Sequence, residues 1–122
     1  MLVLQPDSAL NLLVYKATGK VTLTCLKNAM LKIDSVIEKN GDFNLLILIE
    51  EGVTWNVNDI ASNMSWVMKN MFLLKKISIV SSVKLCQKLT EMDGYFAKSS
   101  GVLERHYEFD EFHDALKWLK SP

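Results

Sequence analysis

The sequence predicts a single α/β domain in which short strands alternate with amphipathic helices. Its 122 residues are close to the usual size of one domain, and no Pro-, Gly- or Ser-rich stretch divides them. An apolar content of 49% is enough to build a core without disulfide or metal support. Along the chain, the spacing of apolar residues changes repeatedly between the alternation typical of strands and the three- to four-residue intervals typical of helices.

The first part of the chain predicts two strands around a turn. Residues Met1 to Gln5 form the first, Pro6 to Ser8 carry the turn residues, and Leu10 to Ala17 form the second. The second strand is largely apolar on both faces until Lys16, which indicates a central strand that is at least partly covered on both sides.

A helix and a buried strand are predicted next. Thr22 or Thr24 can cap the start of the helix, and Asn40 to Asp42 include residues that accept the left-handed backbone at its end. The run from Phe43 to Glu50 is then rich in Leu and Ile, as expected of a buried strand. A strand, helix, strand unit of this kind is parallel and right-handed in nearly every known case.

The second half predicts two further pairs of elements. A helix with one apolar face follows Trp55, with Asn56 or Asn58 as its cap. The pattern then continues through a strand, a helix, an edge strand of alternating polarity and a last helix that Asp110 would cap. The first three of these predicted elements span Lys76 to Ser81, Val83 to Met92 and Val102 to Phe109, and the last helix ends at Ser121-Pro122.

Charge and hydropathy exclude two classes of partner. The 14 basic and 14 acidic residues cancel, and no block of like charges is present to bind nucleic acid by counterion release. The longest apolar run has five residues, Leu45 to Ile49, far short of the roughly 20 that a membrane helix requires. Because the N-terminus also lacks the features of a signal peptide, we expect a cytoplasmic protein without a membrane span.

Motifs for cofactor, metal or catalytic chemistry are absent. No glycine-rich phosphate loop or nucleophile elbow occurs, so neither a cofactor nor an enzyme activity is expected. His106 and His113 are interpreted as surface residues, and Cys25 and Cys86 as reduced core thiols. The adjacent carboxylates of residues 50 and 51 are expected to point to opposite sides of an extended chain.

The turn from Glu51 to Trp55 is the most informative segment. It follows the carboxyl end of a central parallel strand, where open α/β sheets usually place their sites, and it carries a glycine, a hydroxyl and an indole. Trp66 falls on the polar face of the next helix, as a residue of a partner surface would. Two alternatives stay open, since Trp55 can fold onto the core and Trp66 can lie against a neighbouring segment.

Several segments together resemble the SpoIIAA-like (STAS-like) family. The most specific are the glycine and hydroxyl at the first helix entry and the pattern FxxAxxWL in the last helix, and the matching segments are Gly19 to Thr22, Phe43 to Glu50, Trp55-Asn56, Lys76 to Val80 and Phe112 to Leu119. The resemblance implies a mixed sheet of four or five strands with about four helices packed mainly on one side. It also implies a relation in fold to CRAL-TRIO lipid-binding domains.

The resemblance bears on regulation as well. STAS domains that antagonise anti-sigma factors carry a phosphorylatable serine in an Asp-Ser-x-Gly turn after the third strand. The matching turn has Thr54 as its only hydroxyl and lacks the Asp-Ser pair, which puts a kinase-operated switch in doubt. Thr54 is nevertheless the candidate phosphorylation site, because a phosphate is favoured near a helix N-terminus.

Two functions are therefore predicted. In the first, the domain is a non-enzymatic regulatory module that binds a protein partner through Thr54, Trp55, Asn58 and Trp66. In the second, it carries a small apolar, lipid-like ligand in a pocket between the Met-rich helix and the sheet, lined by Met64 and Met68. A homodimer formed through the edge strand or through an exposed apolar helix face is a further hypothesis.

Overall fold

The computed structural model describes residues 1–9, 11–62, 66, 69–70, 73–82, 84 and 103–121. The described helices are α1 (Leu23–Asn40), α2 (Val57–Ser62) and α3 (Phe112–Lys120), the last preceded by a 3-10 turn at Phe109–Glu111. The described strands are β1 (Leu2–Leu4), β2 (Leu12–Ala17), β3 (Lys20–Val21), β4 (Phe43–Ile49), β5 (Thr54–Trp55), β6 (Leu74–Ser81) and β7 (Leu103–Glu108).

The main sheet has five strands in the order β1-β2-β4-β6-β7. Only β1 runs antiparallel to its neighbour, while β2, β4, β6 and β7 are mutually parallel. This confirms the mixed sheet and places β7 at an edge, as the alternating pattern of the sequence predicts. A second, two-stranded sheet pairs β3 with β5 and was not predicted, because two residues are too few to show a period.

Helix α1 begins and ends where the sequence predicts. Thr22 is the N-cap, and its side chain accepts a hydrogen bond from the backbone N–H of Cys25. At the other end Gly41 adopts a left-handed conformation with φ of 84°, and its N–H donates to the carbonyl of Ile37. The helix connects β2 to the parallel strand β4, so the predicted strand, helix, strand unit is confirmed.

The two faces of the sheet carry separate apolar clusters, because side chains alternate along each strand. On one face, α1 covers a cluster that contains Leu13 and Tyr15 of β2. On the opposite face, α3 covers a cluster that contains Leu12 and Val14 of the same strand. The central strand is thus buried on both sides, as predicted.

Helix α3 lies on the sheet face opposite α1, so the described helices do not all pack on one side. Right-handed crossovers between strands added in one direction fall on the same face of a sheet. Helix α3 follows the last described strand, β7, and connects it to no further strand, so the handedness rule for crossovers does not determine the face on which α3 packs. It lies on the opposite face because its apolar stripe, Ala115, Leu116 and Leu119, covers Leu46 and Val80, which would otherwise face water.

The number of helices also differs from the expectation of about four, since the described residues contain fewer. They include two long helices, α1 and α3, and the six-residue α2. The predicted helix from Val83 to Met92 lies, apart from Lys84, outside the described residues. None of the helices in the described part of the chain is long and apolar enough to cross a membrane.

The predicted cap of the last helix is also corrected. Asp110 lies inside the 3-10 turn that precedes α3. The residues that close this turn are Glu108 and Glu111, which form a capping box, and the backbone N–H of Glu108 donates to the Glu111 carboxylate at 2.9 Å. Because the carboxylates of Glu108 and Glu111 cap this turn, the helix does not begin at Asp110, although aspartate has the higher intrinsic preference for an N-cap.

Candidate functional site

The segment after β4 turns sharply at the carboxyl edge of the sheet. Gly52 has φ of 78°, a left-handed conformation that is costly for any residue with a Cβ. The chain then pairs with β3, where the backbone N–H of Thr54 donates to the carbonyl of Gly19 at 2.9 Å. This pairing holds the residues from Glu51 to Asn58, which we call the docking turn, against the entry to α1.

Two clefts open at this edge, and Glu50 and Glu51 line both of them. The larger, of about 500 Å³, is lined by Ile49, Glu50, Glu51, Gly52, Val53, Trp55, Ser82 and Lys84. The smaller, of about 340 Å³, is lined by Leu48, Glu50, Glu51 and Phe109. Glu50 and Glu51 are therefore the residues that connect the cleft of Trp55 with the cleft of Phe109. The expected extended chain is not present at Glu51, which lies in the turn after β4.

The structure places three predicted site residues at the surface of the docking turn. Trp55 is 44% exposed and lines the larger cleft, so the alternative in which it folds onto the core does not hold. Thr54 and Asn58 are exposed but do not line either cleft. Asn56 is the residue that caps α2, because its side-chain oxygen accepts the backbone N–H of Asn58 at 2.8 Å.

Trp66 is not part of this surface. It is half-buried and packs against the cluster under α1, and its indole N–H donates to the carboxylate of Asp34 at 3.0 Å. Asp34 lies twelve residues after the cap Thr22, or about 18 Å along the axis of α1. The alternative in which the indole lies against a neighbouring element therefore describes Trp66. Met64 and Met68, the predicted pocket lining, lie outside the described residues.

Apart from residues 48–50, around the end of β4, sequence reasoning missed three residues of the clefts, namely Ser82, Lys84 and Phe109. Ser82 directly follows β6, and Phe109 directly follows β7. The carboxyl ends of parallel strands meet at one edge of a sheet, so a signal for these two was present once the strands were taken as parallel. Phe109 was read instead as the last apolar residue of the alternating edge strand.

Negative charge is concentrated around the clefts. The Glu50 carboxylate forms an ion pair with Lys16 at 2.9 Å, and both side chains are substantially exposed. Glu51 is exposed and has no ion pair with any residue of the described part of the chain. Next to Phe109, the carboxylates of Glu108, Asp110 and Glu111 bring oxygens within 4.8 Å of one another. Because Glu108 and Glu111 already serve the capping box, this group does not indicate a metal site.

His106 and Cys25 differ from their interpretations as a surface residue and a core thiol. The side chain of His106 is only 5% exposed, and its Nε2 lies 3.3 Å from the carboxylate of Glu104, whereas His113 is at the surface as predicted. Cys25 is not a core thiol, because it lies partly exposed in the first turn of α1. The hydroxyl of Thr22 donates to its sulfur at 3.2 Å, and this contact, with backbone hydrogen bonds, lowers the pKa of Cys25 from 9.0 to about 7. Cys86 lies outside the described residues.

Comparison with protein families gives a match to the SpoIIAA-like family over residues 12–120. The chain belongs to the SpoIIAA-like family. Comparisons with curated proteins and with solved structures give no match. SpoIIAA-like domains are of the STAS type, which is generally non-enzymatic and typically interacts with proteins. In this SpoIIAA-like domain the docking turn follows β4, the third strand of the main sheet in chain order, and presents Trp55 to solvent.

Proposed function

We propose that this domain is a non-enzymatic regulatory module that binds a protein partner through the docking turn and the adjoining clefts. The observation that carries the proposal is the exposed indole of Trp55 in a turn that is held in place by pairing with β3. Exposed tryptophan is enriched among residues that contribute most to binding, because it buries a large area at a small cost in side-chain entropy. Because the turn is already ordered before binding, the chain loses less conformational entropy when the partner binds.

Family membership supports the same function, since STAS-type domains typically interact with proteins. The site also suits a macromolecular partner better than an enclosed small ligand. Both clefts are open and continue across Glu50 and Glu51, so a partner can contact them together. Trp66 is no longer included in the binding surface, because it packs under α1.

The test compares Trp55→Ala with a matched exposed apolar residue, Leu31→Ala on α1, which is 67% exposed. A partner captured with the intact chain is identified, purified and titrated against each variant by isothermal calorimetry. Loss of a binding anchor costs about 2 kcal/mol, so Trp55→Ala should weaken binding about 30-fold and Leu31→Ala should not change it. Equal affinity of the Trp55 variant and the intact chain, with the fold retained, would show that the partner binds elsewhere.

Thr54 remains our candidate for modification. Its hydroxyl is exposed, as a kinase would require, and it lies beside Trp55 in the docking turn. A phosphate there would add about two negative charges next to the proposed contact surface. We expect Thr54→Glu to change partner affinity and Thr54→Val to leave it unchanged, and phosphopeptide mapping of the natural protein tests whether the modification occurs.

The hypothesis of a small apolar ligand depends on Met64 and Met68, outside the described residues, and stays a prediction. Native mass spectrometry of the purified protein would reveal a lipid that copurifies with it. Homodimerisation through β7 also stays a prediction, and light scattering coupled to gel filtration measures it directly.

A further inference from the structure

We infer that the partner segment bound by the docking turn and its clefts presents a lysine or arginine side chain flanked by apolar residues. The inference rests on the proposed function and adds the chemistry of the partner. Its basis is the arrangement of charge and aromatic surface at the carboxyl edge of the sheet.

Charge is unevenly distributed along the strands although the whole chain is neutral. At the carboxyl edge the described acidic residues outnumber the basic groups. These basic groups are Lys16, already paired with Glu50, Lys20, which pairs with Thr54 of the docking turn, Lys84, and the N-terminal ammonium on the carbonyls of Thr18 and Lys20. These acidic residues are Glu50, Glu51, Glu108, Asp110 and Glu111. Basic residues gather towards the opposite edge, where β6 and β7 begin and α3 ends, and these are Lys75, Lys76, Arg105, Lys117 and Lys120. A cationic segment is therefore attracted to the edge that carries the clefts.

Each of the two clefts also offers aromatic surface. Trp55 is 44% exposed in one cleft and Phe109 is 41% exposed in the other. A cation over an aromatic ring gains about 0.5–1 kcal/mol at exposed sites. The aliphatic stem of a lysine or arginine can at the same time pack on Leu48 or Val53, which line the two clefts. A lysine or arginine side chain can therefore contact a carboxylate, an aromatic ring and an aliphatic side chain of the clefts at the same time.

A purely apolar segment fits the same surface less well. Covering Glu51 with apolar groups would remove water from a carboxylate that has no ion pair with a described residue. Such burial is costly unless an opposite charge replaces the water. An acidic segment would add repulsion to that cost, with Lys84 the one basic side chain among the residues described at the clefts. The cationic segment is the occupant that satisfies Glu51 on binding.

Selection from a phage-displayed library of random heptapeptides tests the inference on the intact chain. We expect enrichment of peptides with lysine or arginine next to an apolar residue. A fluorescein-labelled synthetic copy of the most enriched peptide is then titrated by anisotropy. Glu51→Gln should weaken binding about tenfold and Glu51→Lys more, while Glu38→Gln and Glu38→Lys, at an exposed carboxylate near the end of α1, should leave it unchanged. Circular dichroism confirms that each variant is folded.

The outcomes separate this inference from the proposed function. Enrichment of acidic or uncharged peptides whose binding is lost in Trp55→Ala would overturn the cationic partner and leave the docking turn as the binding site. If basic peptides bind the Trp55→Ala and Glu51 variants as tightly as the intact chain, the peptides bind elsewhere. That result would overturn the inference and the proposed function together. If no peptide is enriched over a blank surface, the inference is overturned as well. If the Glu51→Lys variant instead selects acidic peptides from the same library, that result supports the inference further.

Discussion

Lys76 should be far more important for stability than a lysine in a strand usually is. Its ammonium reaches the end of α3 and donates to the carbonyl of Trp118 at 3.2 Å, the carbonyl of Ser121 at 2.9 Å and the hydroxyl of Ser121 at 3.0 Å. It also lies 5.2 Å from the ring centroid of Trp118. The last carbonyls of a helix have no partner within the helix, and here Lys76 shares the Trp118 carbonyl with the backbone N–H and hydroxyl of Ser121 and complements the helix dipole.

Substitution Lys76→Met removes the charge and keeps most of the side-chain stem. A hydrogen bond to a charged group contributes about 1.5–3 kcal/mol when buried, the helix-end interaction about 0.3–1 kcal/mol and an exposed cation–ring contact about 0.5–1 kcal/mol. Water replaces part of these contacts because Lys76 is only half-buried, and the contributions overlap. We therefore expect a loss of about 2 kcal/mol in the free energy of unfolding.

The matched control is Lys75→Met, since Lys75 is the exposed neighbour in the same strand. An exposed substitution of this kind changes stability by less than about 0.5 kcal/mol. In urea unfolding followed by circular dichroism, a slope of about 2 kcal/mol/M gives a midpoint about 1 M lower for Lys76→Met. Equal midpoints for the two variants would refute the view that Lys76 fixes the end of α3.

Two further predictions concern the start of β4 and the first turn of α1. The side-chain amide of Asn44 donates to the carbonyl of Leu119, and its oxygen accepts the backbone N–H of Lys76, both at 3.1 Å. Asn44→Ala should therefore lower the free energy of unfolding in urea by about 1–3 kcal/mol. The control Asn28→Ala, at an exposed residue, should leave it unchanged. Because hydrogen bonds, first among them that from Thr22, lower the pKa of Cys25 to about 7, alkylation of this thiol by iodoacetamide should rise with pH and reach half its maximum near pH 7. Thr22→Val should move that midpoint towards 9, and a midpoint near 9 in the unaltered chain, measured by mass spectrometry of the Cys25 peptide, would contradict the assignment.

Local patterns were sufficient for most of the secondary structure. The cap at Thr22, the left-handed Gly41 and the apolar stripe of α3 are all properties of a few consecutive residues, and each was predicted. The family could be recognised for the same reason, since its motifs are short segments in a fixed order. Within the site, Trp55 was identified because it follows a buried strand, and that position is readable in the sequence.

Long-range contacts were beyond these patterns. The polar helical neighbours of Trp66 predict a surface position, yet Asp34, distant in sequence, accepts its indole N–H. Phe109 and Ser82 join the clefts only because three parallel strands end side by side. Cys25 was assigned to the core because its helix has an apolar stripe, although its position in the first turn exposes it.

The sequence by itself determined a neutral α/β domain of the SpoIIAA-like family with an indole-bearing turn after a central strand. Hydrophobic period, turn residues and helix caps act over a few residues, and so they can be read without the fold. The tertiary structure alone decided that α3 covers the face opposite α1 and that Glu50 and Glu51 connect the cleft of Trp55 with the cleft of Phe109. Those relations depend on which strands are neighbours, and strand order brings together residues that no local pattern connects.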